Sequence, residues 1–281
     1  MNSADLTEID VPPDRPPAWP DRNPLRPRGV IAWLYARNAA FATVVVLLAV
    51  HVFVFQTDWS RTSGIGEMAR TAAWFLPDLA YFPSILIALF ETALIAFWGT
   101  AIGMAVAIPI AVLAARNVTP FGLVSYWSGR VIIVLSRSVH ELVFALIFVS
   151  ALGLGALPGI FALAVRSIGF MAKTTAEAIE NVEIGPLEAI EATGAKRIAV
   201  ILFAVLPQVF PIFVGNVIFQ FDINLRRAAI LGMVGAGGIG LIFAEQIMVL
   251  AYDRAGTVVL GVVLMVLLGE FVSNRLREWL L

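Results

Sequence analysis

The stretch EIGPLEAIEATGAKRIAVILFAVLP, Glu183 to Pro207, decides how the rest of the chain is read. Its first half is polar enough to stand outside a membrane, and its second half is apolar enough to enter one. Gly185-Pro186 suits a helix start, because proline in the first turn forfeits no intrahelical hydrogen bond and its φ is already helical. Gly194 suits the stop, with Lys196 and Arg197 just beyond it near the negative end of the helix dipole. The spacing predicts a helix of about eight residues, on the order of 12 Å long. Such a helix cannot span a bilayer and does not hold together alone in water. It must dock on something. Leu187 and Ile190 lie on one face, Glu188 and Glu191 on another, and Ala189 and Ala192 leave a slim third side. That shape fits a groove in a partner protein; an amphipathic connector lying on the lipid surface fits it as well.

On either side of this segment the chain is built for lipid. Of its 281 residues, 60% are hydrophobic and 14% charged, and the mean hydropathy is +0.89. The apolar residues gather in runs, and a helix needs about 20 of them to cross the hydrocarbon layer. Ala39 to Phe55 carries no formal charge and is the cleanest span. It follows a tail too long and too rich in proline for a secretory signal, so it reads as a retained anchor. Pro83 to Ala115 is too long for one straight crossing and too short for two, which predicts one long helix, tilted or kinked before Pro109. Val131 to Val165, with Gly153, Gly155, Pro158 and Gly159 as its turn, predicts two spans at roughly 131 to 152 and 159 to 179. Ile198 to Phe221 is a fifth and Ala255 to Ser273 a sixth. Thr57 to Tyr81, broken by charged residues, reads as an external loop holding a short helix.

The domain organisation expected is a cytoplasmic, disordered N-terminal tail over residues 1 to 38 and a transmembrane domain over 39 to 281. Within that domain, Ala228 to Leu250 is apolar enough to cross but holds Gly232, Gly235, Gly237, Gly238 and Gly240. Backbone of this kind is tolerated at membrane depth only where it is buried in protein or lines a cavity. It therefore predicts a non-spanning or partly inserted gate element over about 228 to 245. With six spans, most of the 19 Lys and Arg residues fall on the cytoplasmic side. Arg61, Arg70, Arg226, Arg227 and Arg254 fall outside, and Arg166 falls within a span. Both termini are then cytoplasmic.

Charges inside a membrane are costly and point to function. Arg137, His140 and Glu141 sit together near the cytoplasmic end of the third span, where they are either interfacial and paired or line an inner vestibule. Arg166 and Lys173 could present positive charge to an anion; Lys173 can equally snorkel to the interface. With no cysteine and only two histidines, neither beside a second ligand, disulfide and metal sites have no support. GAGGIG, 235 to 240, follows no strand and opens no βαβ unit, so it is no dinucleotide fingerprint. The chain has no GxxxxGK[ST] phosphate loop, so any ATPase it works with is another polypeptide. No basic stripe suggests nucleic acid.

Glu188-Ala189, Gly194 six residues after Glu188, and the closing Leu206-Pro207 resemble the EAA motif of bacterial ABC importer permeases at its spacing. Ile190 stands where a second alanine is usual, and Ala204 where an isoleucine is usual. From about Pro83 onward, SRSVHELVFALIFVSALGLGALPGIFALAVRSIGFMAKTTAEAIE (136 to 180) and LRRAAILGMVGAGGIG (225 to 240) are similar to the phosphonate permease branch, the second also more loosely to methionine-type permeases.

The resemblance implies an all-α integral membrane protein of the type I ABC importer permease fold, with about six transmembrane helices and a cytoplasmic coupling helix at about 183 to 197. It assigns Leu187, Glu188, Ala189, Ile190, Gly194, Leu206 and Pro207 to ATPase coupling. It assigns Gly235, Gly237, Gly238 and Gly240 to the gate of the translocation path, and the intramembrane charges Arg137, His140, Glu141 and Arg166 are expected on the same path by their charge. The partners implied are a second permease copy, two cytoplasmic ATP-binding subunits and a periplasmic or extracellular phosphonate-type substrate-binding protein, in the bacterial plasma (inner) membrane. The chain itself would be non-catalytic and bind no cofactor, with ATP and Mg held by the partner ATPase. The cargo implied is a phosphonate or a related phosphorus oxyanion such as phosphite or a phosphate ester. Methionine or another small solute is the alternative, and a membrane enzyme or a channel the alternative outside the class.

Overall fold

The computed structural model describes residues 28–56, 64–119 and 122–280, with backbone alone at 28–32, 65 and 197. The proline-rich tail before Arg28 lies outside these residues, as does the first part of the expected external loop. The chain divides into two compact units, one ending at Gly66 and one running from Glu67 to Leu281.

Among its described residues the first unit holds one long helix, α1 (Arg28–His51), which continues in π-helical turns over Val52–Gln56. It starts well before Ala39, so the last part of the expected tail is helical. Hydropathy marks only the hydrocarbon-depth portion of a helix. Here the extra turns carry Trp33, Tyr35 and Arg37, the Arg37 guanidinium standing 5.1 Å from the centre of the Trp33 ring. Amphipathic residues of this kind suit the headgroup layer.

The second unit is built of helices joined by short connections. A short α2 (Ile65–Trp74) leads to a 3₁₀ turn, Leu79–Tyr81, which Asp78 caps by accepting from the Ala80 N–H at 3.0 Å. Then follow α3 (Phe82–Ala114), α4 (Gly122–Ser138), α5 (Glu141–Leu152), α6 (Ala156–Glu180) and α7 (Ile184–Glu191). A four-residue α8 (Arg197–Val200) runs through π-helical Ile201–Val205 into α9 (Leu206–Leu231). A 3₁₀ turn, Gly232–Val234, precedes α10 (Ile239–Met248), and α11 (Tyr252–Leu280) closes the chain.

Among the described residues, five helical segments are long and apolar enough to cross a membrane, or six if α4 and α5 are taken as one bent span. As expected, α3 is one long helix with Pro109 inside it. The expected span at roughly 131 to 152 is not one continuous helix. The chain breaks between Ser138 and Glu141, and α4 meets α5 at 88°. His140 makes the break, its backbone extended (φ −70°, ψ 143°) and its Nδ1 accepting from the Leu142 N–H at 3.2 Å, so it caps α5. A cap satisfies a donor that a continuous helix would have paired internally. The fifth span also departs from expectation: it does not end at Phe221 but continues to Leu231, so Arg226 and Arg227 lie in the helix and not in an outer loop. The glycine-rich 228–250 does not cross as one helix, because the 3₁₀ turn and the ten-residue α10 divide it.

Glycine lets α3 and α6 approach closely. A Cβ on Gly103 would stand 2.6 Å from the Ser167 Cβ, and one on Gly99 would stand 2.7 Å from the Leu163 Cβ. Small residues at such crossings bring dispersion contacts into range where lipid supplies no hydrophobic drive. Midway along this seam, buried Asn224 on α9 donates to Thr100 Oγ1 of α3 (2.9 Å) and to Ser167 Oγ of α6 (2.8 Å), and accepts from Gln220 Nε2 (3.0 Å). Three helices are thereby joined at one depth. An apolar cluster lies toward the α7 end, from Ala107 to Ala114 of α3 with Ala115 just beyond it, Met171 to Ile179 of α6, and Val205 and Val209. A second lies toward the opposite end, around Ile95, Leu163, Leu225 and Ala236.

Candidate functional site: an exposed short helix and a charged centre

The α7 helix keeps the expected length, eight residues, and starts slightly earlier than predicted. Pro186 occupies its third position, still within the first turn, where backbone N–H groups have no helical partner. The end follows expectation: Gly194 adopts φ +76°, its N–H donating to the Glu191 carbonyl at 2.9 Å. Ile184, Glu188, Ala189, Glu191 and Ala192 are exposed, while Leu187 and Ile190 are half-buried. Leu187 packs onto the apolar cluster of α3, α6 and α9, so this face is turned toward the protein's own body. The surface left for a partner is the Glu188–Ala189 side. Leu206 and Pro207 open α9 and are both exposed.

Gln208 was not singled out from the sequence, yet it connects these parts. Its Oε1 accepts from the Glu183 N–H at the start of α7 (2.9 Å), and its Nε2 donates to the Ala204 carbonyl (2.8 Å). Ala204 lies in the π-helical turns, and Pro207 and Pro211 supply no N–H to the carbonyls around them. The side-chain amide therefore bridges the base of α7 and the first turn of α9. Gln208→Ala is expected to speed amide hydrogen exchange at Glu183 roughly 3- to 10-fold, the equivalent of one ordinary hydrogen bond. Gln208→Glu keeps the acceptor and should leave that amide protected. Equal exchange in all three proteins would show that the bridge is not formed.

The same end is closed by Glu180, which takes Arg130 Nη2 on both carboxylate oxygens (2.9 Å each) and also the Arg116 N–H (2.9 Å). Arg130 Nε donates to the Ala114 carbonyl at 3.2 Å. These contacts bind the ends of α3 and α6 to the middle of α4.

The second group lies deeper. Glu141, its side chain 8% exposed, faces Arg227 Nε at 3.0 Å, Arg166 Nε at 3.5 Å and His140 Nε2 at 3.8 Å. The expectation placed Arg137, His140 and Glu141 at the cytoplasmic end of a span. The structure instead puts Glu141 beside Arg166, about 21 Å along α6 from its Glu180 end. The bend between α4 and α5 accounts for the difference, because it starts α5 partway through the thickness. Arg137 does not join the group: it is exposed in the last turn of α4, its stem lies against Gly169, and it forms no ion pair among the described residues. Arg226 is held by Asp222 on its own helix. Arg227 was missed as a member of the group, although a charge within four residues of the polar i,i+4 pair Gln220 and Asn224 marks that stretch as facing protein rather than lipid.

Residues 235 to 240 form a buried turn. Gly235, Gly237 and Gly238 have φ of 90°, 78° and 71°. The Gly155 N–H donates to the Gly235 carbonyl at 3.0 Å, and the Ile239 N–H to Thr92 Oγ1 at 2.8 Å. A Cβ on Gly237 would stand 2.7 Å from the Ala156 nitrogen. The turn is seated against the α5–α6 connection and α3.

Crossing helices with an exposed short helix at one end and a charged group within the bundle define a polytopic helical membrane protein. The sequence profile described as "Binding-protein-dependent transport system inner membrane component" matches residues 107–281. Over 255 residues the chain is 37% identical to the phosphite transport system permease protein PtxC of Stutzerimonas stutzeri, covering 90% of this chain and 92% of that one. It is 43% identical over 190 residues to the phosphate-import permease protein PhnE of Mycolicibacterium smegmatis, a match that spans 68% of this chain but only 35% of that relative. In fold it resembles the inward-facing MetNI methionine ABC transporter, with a TM-score of 0.59, 22% identity, and coverage of 70% of this chain and 96% of that one. The chain belongs to the family of binding-protein-dependent transport system inner membrane components, and as such is a transport permease of the inner membrane.

Proposed function

We propose that this chain works as the permease of an ATP-driven importer for phosphorus oxyanions, with phosphonate, phosphite or phosphate esters as cargo. The observation that carries the coupling half of this reading is α7, an eight-residue helix exposed on its Glu188–Ala189 side and fastened to α9 through Gln208. A cytoplasmic ATP-binding subunit holding ATP and Mg would seat that helix, and a movement imposed on it would pass directly into α9. In this reading Glu188, Ala189, Ile190, Gly194, Leu206 and Pro207 form or support the docking surface, and Leu187 anchors the helix from behind. The glycine turn at 235 to 240 and the Arg166–Glu141 group belong to the translocation path.

The complete machine has a second permease copy, two ATP-binding subunits and an external binding protein. With α7 on the cytoplasmic side, α11, which descends from the opposite end, brings the C-terminus to that side too. The phosphorus-oxyanion assignment is supported by the phosphite and phosphate transport for which the two relatives above are named and by the likeness of residues 136 to 180 to phosphonate permeases.

The test is uptake in proteoliposomes holding this permease with its ATPase and binding protein. Phosphite, methylphosphonate or a phosphate ester should accumulate only when ATP is present. Accumulation of methionine in their place would overturn the substrate assignment, and ATP-independent flux would indicate a channel.

A further inference from the structure

Within the membrane-spanning body two guanidinium groups share one buried carboxylate. Counting Glu141, Arg166 and Arg227 with His140 neutral, the group carries one positive charge in excess. An unbalanced charge at that depth is costly unless water, a counter-ion or a ligand reaches it. His140 has 65% of its side chain exposed on the isolated chain, and Arg166 and Arg227 have 23% and 25%. So much polar surface on a membrane-spanning body does not face lipid; it faces an aqueous passage or the second copy.

The coordination of Arg166 is also incomplete. Arg166 Nε is buried yet has no hydrogen-bond acceptor, since its approach to Glu141 at 3.5 Å lacks hydrogen-bond geometry. Behind Arg166, the neighbouring Ser167 is fixed by Asn224 and Gln220, so α6 and α9 are held in register and the two guanidiniums stay close.

We propose that Arg166 and Arg227 bind the travelling oxyanion inside the membrane, with Glu141 as the counter-ion it displaces. This rests on the phosphorus-oxyanion reading given above. Guanidinium groups present paired N–H donors that match the oxygens of a phosphorus oxyanion. Glu141 holds the two arginines together while the site is empty and competes with the cargo once it has entered. A conducting site must bind well enough to admit an ion and weakly enough to release it. The carboxylate supplies the second condition.

Substitutions shift the excess charge in steps: Arg227→Gln brings it to zero, Glu141→Gln raises it to two, and the double variant restores it to one. The experiment uses the complete transporter in proteoliposomes, with uptake normalised to permease content, and equilibrium dialysis of radiolabelled phosphite against the purified permease. Wild-type uptake of a phosphorus oxyanion is established first; if there is none, the functional reading fails before this inference is tested.

Given that uptake, Arg227→Gln is expected to lower it at least tenfold, and Arg227→Lys to stay within about threefold of wild type. Glu141→Gln is expected to raise phosphite retention at least tenfold while slowing uptake. The double variant should exceed both single variants in uptake. Stronger retention on removal of a carboxylate is a result that a purely structural ion pair does not produce. Unchanged retention in Glu141→Gln, or undiminished uptake in Arg227→Gln, would overturn the proposal.

Discussion

Replacing Gly194 by aspartate is expected to abolish ATP-driven uptake while leaving the permease inserted at its normal level. The fold has little to lose at this position: a Cβ on Gly194 would meet nothing within 4 Å. A residue other than glycine at φ +76° costs on the order of 1–2 kcal/mol, and aspartate tolerates that region better than most. The larger consequence falls on the surface. The new carboxylate would stand where the unpaired carbonyls of α7 already concentrate negative charge, an unfavourable placement of roughly 0.3–1 kcal/mol for so short a helix. It would also add a charge beside the exposed Glu188–Ala189 side, where a desolvated partner surface is expected to seat.

Gly194→Ala separates the two effects, since it keeps the backbone strain and omits the charge; it should retain a substantial part of the uptake. Co-purification of the ATPase with each variant locates the defect at docking. Unimpaired uptake by the aspartate variant would remove the basis for treating α7 as the coupling element.

Gly240→Ala should act in the opposite way, removing folded protein instead of coupling. A Cβ there would overlap the Ala229 carbonyl oxygen and stand 2.8 Å from the Gly232 Cα and 2.9 Å from the Met233 nitrogen. All three obstacles are backbone, so no side-chain rotation relieves them. Overpacking a core costs typically 1–3 kcal/mol where side chains can give way, and this case belongs at or above the upper end. For a unit of this size that corresponds to a fall in melting temperature on the order of 10 °C. Fluorescence-detected size exclusion after graded heating in mild detergent measures it, with Gly185→Ala as the comparison because nothing lies within 4 Å of that glycine. A midpoint within about 2 °C of wild type would mean that the end of α9 and the start of α10 can separate at little cost, contrary to the packing described.

Where composition alone carries the signal, sequence and structure agree closely. The long span predicted from Pro83 to Ala115 is Phe82–Ala114, and the last span, predicted from Ala255, begins at Tyr252. The short helix was legible for a different reason: Pro186 and Gly194 are residues whose backbone preferences act locally, whatever surrounds them. Two features were not legible. The break at His140 lies among polar residues, Arg137 to Glu141, that read equally well as the interfacial end of a continuous span, and a capping imidazole has no hydropathy signature. The continuation of α9 through Arg226 and Arg227 was hidden because charge normally marks the end of a span. Here Asp222 and Glu141 pair with those arginines, and the second pairing is tertiary. Gln208 was overlooked because its role depends on Glu183, which the chain brings to it only after folding.

The π-helical turns at Ile201–Val205 stand between the exposed short helix and everything α9 carries. A π turn takes up an additional residue relative to α-helix, and each residue in a helix corresponds to about 100° of rotation about the axis. The phase of α9 is therefore set at this point. Tightening those turns to α geometry would rotate Gln220, Asn224 and Arg227 together, away from Ser167, Thr100 and Glu141. A twist delivered at one end of α9 would in that case reach the charged centre as a change of heading rather than of depth.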